Sequence, residues 1–427
     1  MYLYSKGDDC GMYKKIIGDR YLMERQNNYP FIVVHGFLGY GEGSALNSVL
    51  PYFGFRPDRK VVKQARSMGF EVYAPSLGGF NSMWDRACDL YAQIVGGTTD
   101  YGKVHSEKFG HLRYGHTYDK PLVPDWGKLD AEGKIKKINL IGHSFGSPTV
   151  RTLIELLVNG SEEERAGTPE EELSDLFKGG KKNWVHTCTT LAACNGVSLG
   201  VAFTESPRLY NGVINTLAYI FLALGNTPFV RIYDIKMPQW GLTEPEYTGW
   251  LKGMHIKINK EKIERIEHFV NAKEDNIAYE LSWDTCAEIT KDYSPKENIY
   301  YFTFSGDTTE PIPGSKERRA IPGTFPPMAI FANVEGKYLK PKRGIEGEKW
   351  FHSDGLVNTW VAPHPPGEPY KDYDGEENIE PGIWIQVPIE QKHHMSYMGV
   401  NETPYAYFTF FHEIMKRACN LPSIDIE

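Results

Sequence analysis

A chain of 427 residues, 41% hydrophobic and 24% charged, is long enough to bury a large core and polar enough to stay in water. Its formal net charge of −8, with no long run of Lys or Arg, argues against a nucleic-acid surface and against anionic membranes, which leaves small molecules or neutral lipid as partners. No apolar run reaches transmembrane length, the first thirty residues hold no segment long enough for a signal peptide, and the six cysteines (Cys10, Cys88, Cys188, Cys194, Cys286, Cys419) form no C-x-x-C pair, so they fit buried free thiols better than a disulfide scaffold.

In chain order, "YPFIVVHGF" (30–37), "GFEVYAPSL" (69–77) and "KIKKINLIGHSFG" (134–146) each read as a strand running into a turn. Such continuous apolar runs suit strands covered on both faces. Between the first two, the later part of 48–69 predicts a helix stopped by Gly69, and "TVRTLIELLVNG" (149–160) predicts an amphipathic helix closed by Gly160. Further strands are expected at 183–192, 298–306 and 382–390, with a last helix near 403–419. Strands alternating with helices indicate an α/β fold with a mostly parallel central sheet flanked by helices. Residues 78–126, rich in Gly, His and Tyr, and 199–284, which contain the apolar "GVINTLAYIFLALGN" (212–226), break that alternation and read as insertions with a functional purpose. The whole is expected to be one domain, with its core at about 29–77, 127–198 and 285–419.

The strongest local signal is "INLIGHSFGSP", in which Gly142, His143, Ser144, Phe145 and Gly146 fit G-x-S-x-G between an apolar strand and a helix. Small residues on either side of the serine let the chain reverse and present Ser144 at a helix N-terminus, where developing negative charge is stabilised. A serine is a weak nucleophile at its free pKa, so it needs a base that is held by an acid. Asp354 in "FHSDGLVNTW" sits in a suitable loop for the acid, and His394 in "EQKHHMSYMGV" follows the predicted strand 382–390, which suits the base. Spacing leaves His393 and His352 as competitors. Two backbone donors for an oxyanion are offered by Phe145, just after the serine, and by Phe37 in "VVHGFLG". His35, at the end of a strand, reads as a structural hydrogen-bonding residue.

Three of the thirteen histidines, His105, His111 and His116, lie in "YGKVHSEKFGHLRYGH". Steps of six and five residues do not share a helix face, so the local pattern favours a solvated loop over a metal site.

Taken together, "FIVVHGFLGYG", "WDRACDLYAQIVGGTTDYGKVHSEKFGH", "INLIGHSFG", "YDIKMPQWGL", "HSDGLVNT" and "HHMSYMGV" resemble, in order from about 29 to 415, the zinc-containing secreted lipases of the bacillus and staphylococcus type, within the α/β-hydrolase fold. The resemblance implies Ser144 as nucleophile, Asp354 as acid, His394 as base and the Phe37 and Phe145 amides as the oxyanion hole. It also implies a structural zinc ion on Asp85, His105, His111 and, in "IAYELSW", Glu280, where the family has aspartate, clamping the 78–126 insertion to the 199–284 insertion. His116 matches no family ligand. Calcium is not expected, because Ser396 and Asn401 stand where the family carries acidic ligands. Ser147 replaces a glycine that usually follows the motif. Segment 212–226 matches the lid helix in position, so the resemblance implies a mobile lid, an encounter with a lipid–water interface and an extracellular setting. The activity implied is that of a triacylglycerol lipase. An esterase for short-chain or polymeric esters and a non-catalytic binding protein on the same scaffold are the alternatives.

Overall fold

Among the described residues, eleven strands follow one another as β1 (Phe31–Val34), β2 (Val72–Tyr73), β3 (Gly97–Asp100), β4 (Tyr114–Tyr118), β5 (Ile138–His143), β6 (Val185–Leu191), β7 (Tyr300–Phe304), β8 (Thr309–Pro311), β9 (Arg318–Ala320), β10 (Tyr370–Asp372) and β11 (Trp384–Gln386). The computed structural model describes residues 25–197, 199, 233–241, 264, 268–269, 274–337 and 344–427. Seven of these strands form one sheet in the order β10-β11-β7-β6-β5-β1-β2, in which every pairing is parallel. The hairpins β3-β4 and β8-β9 stand apart from it.

The apolar runs are continuous because both faces of the sheet are covered. In β1, Phe31 and Val33 pack into a cluster with Val61, Ala65, Phe411 and Met415, from the helices Val61–Ser67 and Pro404–Asn420. Its alternate residues Ile32 and Val34 face a second cluster with Leu90, Ile94, Val150 and Leu153, from the helices Met83–Val95 and Gly146–Asn159. Period-two alternation therefore feeds two cores from one strand, and helices lie on both sides of the sheet.

Two elements depart from the expectations. The helix Met83–Val95 lies inside the long connection 78–126 and buries Met83, Ala87, Leu90 and Ile94, four positions at helical spacing. Its signal is masked in the sequence because Asp85, Arg86 and Asp89 are buried along with them. Ser82 starts it by accepting the Asp85 N–H at 3.1 Å. Strand β10, "YKD", is short, polar and at the sheet edge, so it carries no apolar run to be read. The segment 212–226 lies outside the described residues. Among the described residues no helix is long and apolar enough to cross a membrane. The described cysteines Cys88, Cys188, Cys194, Cys286 and Cys419 are free and buried.

Leu153 is fully buried between the sheet and the helix Met83–Val95. Leu153→Ala should cost about 3 kcal/mol in urea unfolding, whereas truncating the exposed Val49 should change stability by less than about 0.5 kcal/mol.

Candidate active site and metal centre

Strand β5 ends at His143, and the helix Gly146–Asn159 begins two residues beyond Ser144. Ser144 takes a left-handed backbone, with φ at 56°. Glycine is required on both sides for steric reasons: a Cβ on Gly142 would sit 2.6 Å from the Gly146 carbonyl oxygen, and one on Gly146 would sit 2.3 Å from that of Val34. The turn is pinned by the Ser144 N–H donating to Leu191 O at 2.9 Å and by the Cys194 N–H reaching Ser144 O at 3.3 Å. Ser147 donates its hydroxyl to Gly142 O at 2.9 Å and so braces the same turn.

His394 Nδ1 donates to Asp354 Oδ2 at 2.8 Å, and the His394 N–H donates to Asp354 O at 2.8 Å. The other carboxylate oxygen, Asp354 Oδ1, accepts the N–H groups of Leu356 (2.9 Å) and Val357 (2.8 Å). Both residues are buried, and the His394 ring lies 4.8 Å from that of His143, the residue before Ser144. The competing histidines go elsewhere. His352 pairs with Asp307 at 2.7 Å, and His393 points both ring nitrogens into buried space with no hydrogen-bond partner among the described residues.

Beneath the acid lies a group that the sequence did not single out. Glu335, at the end of the helix Pro326–Glu335, is fully buried and accepts the Ser353 hydroxyl, which in turn accepts the Gly355 N–H at 2.9 Å. Burial pushes the Glu335 carboxyl up to about 8, with the nearby Asp354 charge adding to the shift and the Ser353 hydrogen bond opposing it. A single Glu on an otherwise apolar helix face is the only sequence trace it leaves.

The loop after β1 meets the serine turn directly: a Cβ on Gly36 would lie 2.7 Å from Ser144 Cβ. Phe37, next along, sets its ring edge-on to Phe80 at 5.5 Å. His35 is structural, donating from Nδ1 to Gly36 O and accepting the Leu77 N–H at Nε2, each at 2.9 Å. Fully buried Arg86 joins the surrounding pieces by donating to His35 O, to Gly78 O at 2.7 Å and to Thr149 Oγ1 at 2.9 Å. Burial lowers its pKa to about 10, which leaves it charged at neutral pH.

One residue before Arg86, Asp85 joins His105, His111 and Asp275 in a group whose ligand atoms all lie within 4.8 Å of one another. Asp85 Oδ1, both imidazole Nε2 atoms and Asp275 Oδ2 are buried without a hydrogen-bond partner among the described residues. Four converging orphan atoms of this kind fit a cation. His111 Nδ1 donates to Leu112 O at 2.9 Å, which leaves its Nε2 lone pair for the ion, and Gln239 Nε2 holds Asp85 Oδ2 at 2.6 Å. Burial opposes a charged His105, but Asp275 and Asp85 outweigh it and raise the imidazole to about 10; His111 is raised in the same way. A bound cation would take the place of the protons that the two carboxylates draw onto the imidazoles.

Glu280 is not in this group, which corrects the expected fourth ligand. Its Oε2 instead accepts the Met83 N–H at 2.6 Å, capping the N-terminus of the helix that carries Asp85, and burial raises its carboxyl well above the usual range. Asp275 reaches the site because it precedes the short helix Ile277–Glu280, whose cap Asn276 accepts the Tyr279 N–H at 3.1 Å, and it holds a left-handed φ of 58°. The carboxylate before the helix, not the one at its end, is turned inward. An Asp-Asn pair ahead of the short apolar turn was the available signal. His116 lies on β4, outside the group.

Residues 27–414 match the family described as "Lipase-like, C-terminal domain". Over 385 residues the chain is 34% identical to Lipase 2 of Staphylococcus aureus, covering 88% of this chain and 51% of the relative, so it spans about half the length of that curated protein. The crystal structure of Staphylococcus hyicus lipase superposes with a TM-score of 0.77 at 26% identity, covering 92% of this chain and 97% of the other. Lipase 1 from Pelosinus fermentans superposes with a TM-score of 0.73 at 34% identity, covering 91% and 99%. The central sheet and its flanking helices are the fold of these lipases.

Elemental analysis of purified variants tests the ligand set. Asp275→Asn should lose the bound metal and Glu280→Gln should keep it; the reverse pattern would return Glu280 to the site. The buried Glu335 makes a separate prediction. Its folded pKa lies above the ordinary carboxylate value, so its contribution to stability is full at low pH and is lost as pH rises through about 8. Glu335→Gln should therefore gain stability relative to the parent between pH 6 and pH 9 in chemical unfolding, and parallel curves would refute the shift.

Proposed function

The chain belongs to the family of lipase-like C-terminal domains, and from that premise we propose that it is a serine carboxylic-ester hydrolase, a triacylglycerol lipase acting on water-insoluble esters through an acyl-enzyme. The observation that carries the reading is the strained Ser144 turn set beside a buried His394–Asp354 pair. Ser144 Oγ attacks the ester carbonyl carbon while His394 Nε2 takes its proton. The imidazolium is stabilised by Asp354, whose Oδ2 accepts the ring N–H while its Oδ1 is held in place by two backbone N–H groups. The negative charge on the carbonyl oxygen falls to the amides of Phe37 and Phe145. His394 then protonates the leaving alcohol, the ester C–O bond breaks, and water repeats the sequence to release the acid.

We assign the group Asp85, His105, His111 and Asp275 to a structural zinc ion. Two imidazoles and two carboxylates form a donor set suited to four-coordinate zinc. The bound ion would cross-link the helices Met83–Val95 and Lys103–Phe109, which carry Asp85 and His105, to the loops that carry His111 and Asp275. The reaction itself needs only the chain's own groups.

Water-insoluble substrates are supported by the rim of the site. The helix Pro326–Glu335 touches His393 through Phe325, whose rings lie 6.0 Å apart, and holds Ser353 through Glu335. From it Ile330 (64% exposed) and Val334 (48% exposed) face solvent, an apolar edge beside the dyad suited to a lipid–water interface. An extracellular setting and a lid over 212–226 belong to the same reading, on the resemblance already described. So does the assignment of 78–126 and 199–284 to a metal-clamped insertion and a cap on one hydrolase domain.

Ser144→Ala should abolish ester hydrolysis while leaving the unfolding midpoint within a few degrees of the parent. Initial rates on glycerol esters of short and long acyl chains, below and above their solubility limits, should rise at the emulsion transition for the long chains. A preference for dissolved short esters would make the protein an esterase instead.

A further inference from the structure

A directed chain of hydrogen bonds joins the two halves of the site. The Gly36 N–H donates to Tyr52 Oη at 2.9 Å. Tyr52 Oη lies 2.8 Å from His143 Nδ1, and His143 Nε2 lies 3.2 Å from His394 O. The ends fix the direction. A backbone N–H can only donate and a carbonyl oxygen can only accept, so His143 carries its hydrogen on Nε2, and the Tyr52 hydroxyl donates its hydrogen bond to Nδ1. Only the neutral Nε2–H tautomer satisfies all three bonds. Burial, with His394 adjacent, holds the His143 pKa well below its ordinary value, in agreement with that tautomer. Tyr52 and His143 are 4% and 1% exposed, so water does not compete for these bonds.

We propose that Tyr52 and His143 are positioning residues which, through this chain, hold the Gly36–Phe37 loop and the backbone of His394 in register about Ser144. The inference rests on the catalytic reading above. Neither residue touches the reacting atoms. Gly36 precedes the Phe37 amide and packs on the Ser144 Cβ, while the His394 peptide is gripped on its other side by the Asp354 carbonyl at 2.8 Å. His143 is itself the residue before Ser144, so the chain passes through the nucleophile's own turn. A displacement at either end is therefore transmitted to the other, and catalytic geometry is sensitive to shifts of a fraction of an ångström.

The test is kinetic and normalised to competent sites. A serine-directed phosphonate titrates active sites in the parent, in Tyr52→Phe, in His143→Gln and in the double variant, and kcat and KM are then measured per titrated site. Tyr52→Phe removes one oxygen and breaks two of the three bonds. His143→Gln puts an amide in place of the ring, on a flexible arm that no longer holds the bonds to His394 O and to Tyr52 at one fixed geometry. Each should lower kcat roughly tenfold with KM within about twofold, and phosphonate labelling should slow in parallel. The double variant should be no worse than the poorer single, because the chain is already broken. An unchanged kcat per site in Tyr52→Phe, or losses that multiply in the double variant, would overturn the proposal. A parent protein that the phosphonate fails to label would instead remove the catalytic reading itself.

Discussion

The rest of the site depends on the left-handed turn at Ser144. A non-glycine residue at positive φ costs free energy of the order of 1 kcal/mol or more, and it persists only where its surroundings leave no other arrangement. Here the surroundings are backbone. Gly142 and Gly146 pack against each other and against Val34, Gly36 packs against the serine side chain, and the strand β6 supplies Leu191 O to the serine N–H. Because β1, β5 and β6 are adjacent parallel strands, their C-terminal ends place the Gly36 loop, the serine turn and the Cys194 loop side by side. The crevice at these strand ends is where an open α/β sheet presents its chemistry.

Much of what holds those loops is polar and buried, which raises the cost of any missing partner. Arg86 reaches three separate segments from one helix position, and its neighbour Asp85 faces the metal group. The helix Met83–Val95 thus presents a cation to the loop after β1 and an anion to the metal group from consecutive residues. Its N-terminus is capped by Ser82 and by Glu280, the residue that the family pattern nominated for a different task. A carboxylate at a helix N-terminus and a carboxylate in a metal shell are both favourable placements, so residue type alone does not separate them. The separation comes from the short helix Ile277–Glu280, which turns its two flanking carboxylates in different directions.

The turn after β11 shows another cation used for structure. Arg59 donates to Gly399 O, and the Gly54 N–H donates to Met398 O at 3.1 Å, so the 51–59 segment is tied to the chain just beyond His394. Ser396 and Asn401 flank this contact.

The sequence alone determined the strand-to-helix context of Ser144 and the parallel α/β architecture, and the resemblance it carries nominated Asp354, Asp85, His105 and His111 as candidates. These rest on local rules: apolar runs for strands buried on both faces, glycine where the chain must reverse, and blocks of residues that recur together. Tertiary structure decided the remainder. It gave Asp354 to His394 and Asp307 to His352, a choice that spacing left open, because pairing depends on where the loops land across the sheet. It disclosed Met83–Val95 as a helix despite its buried charges, and it placed Glu335 beneath the acid and Tyr52 between two loops. It also turned Asp275, not Glu280, into the metal group. Each of these is a contact between residues far apart in the chain, and its geometry is fixed only once the sheet and its covering helices have packed.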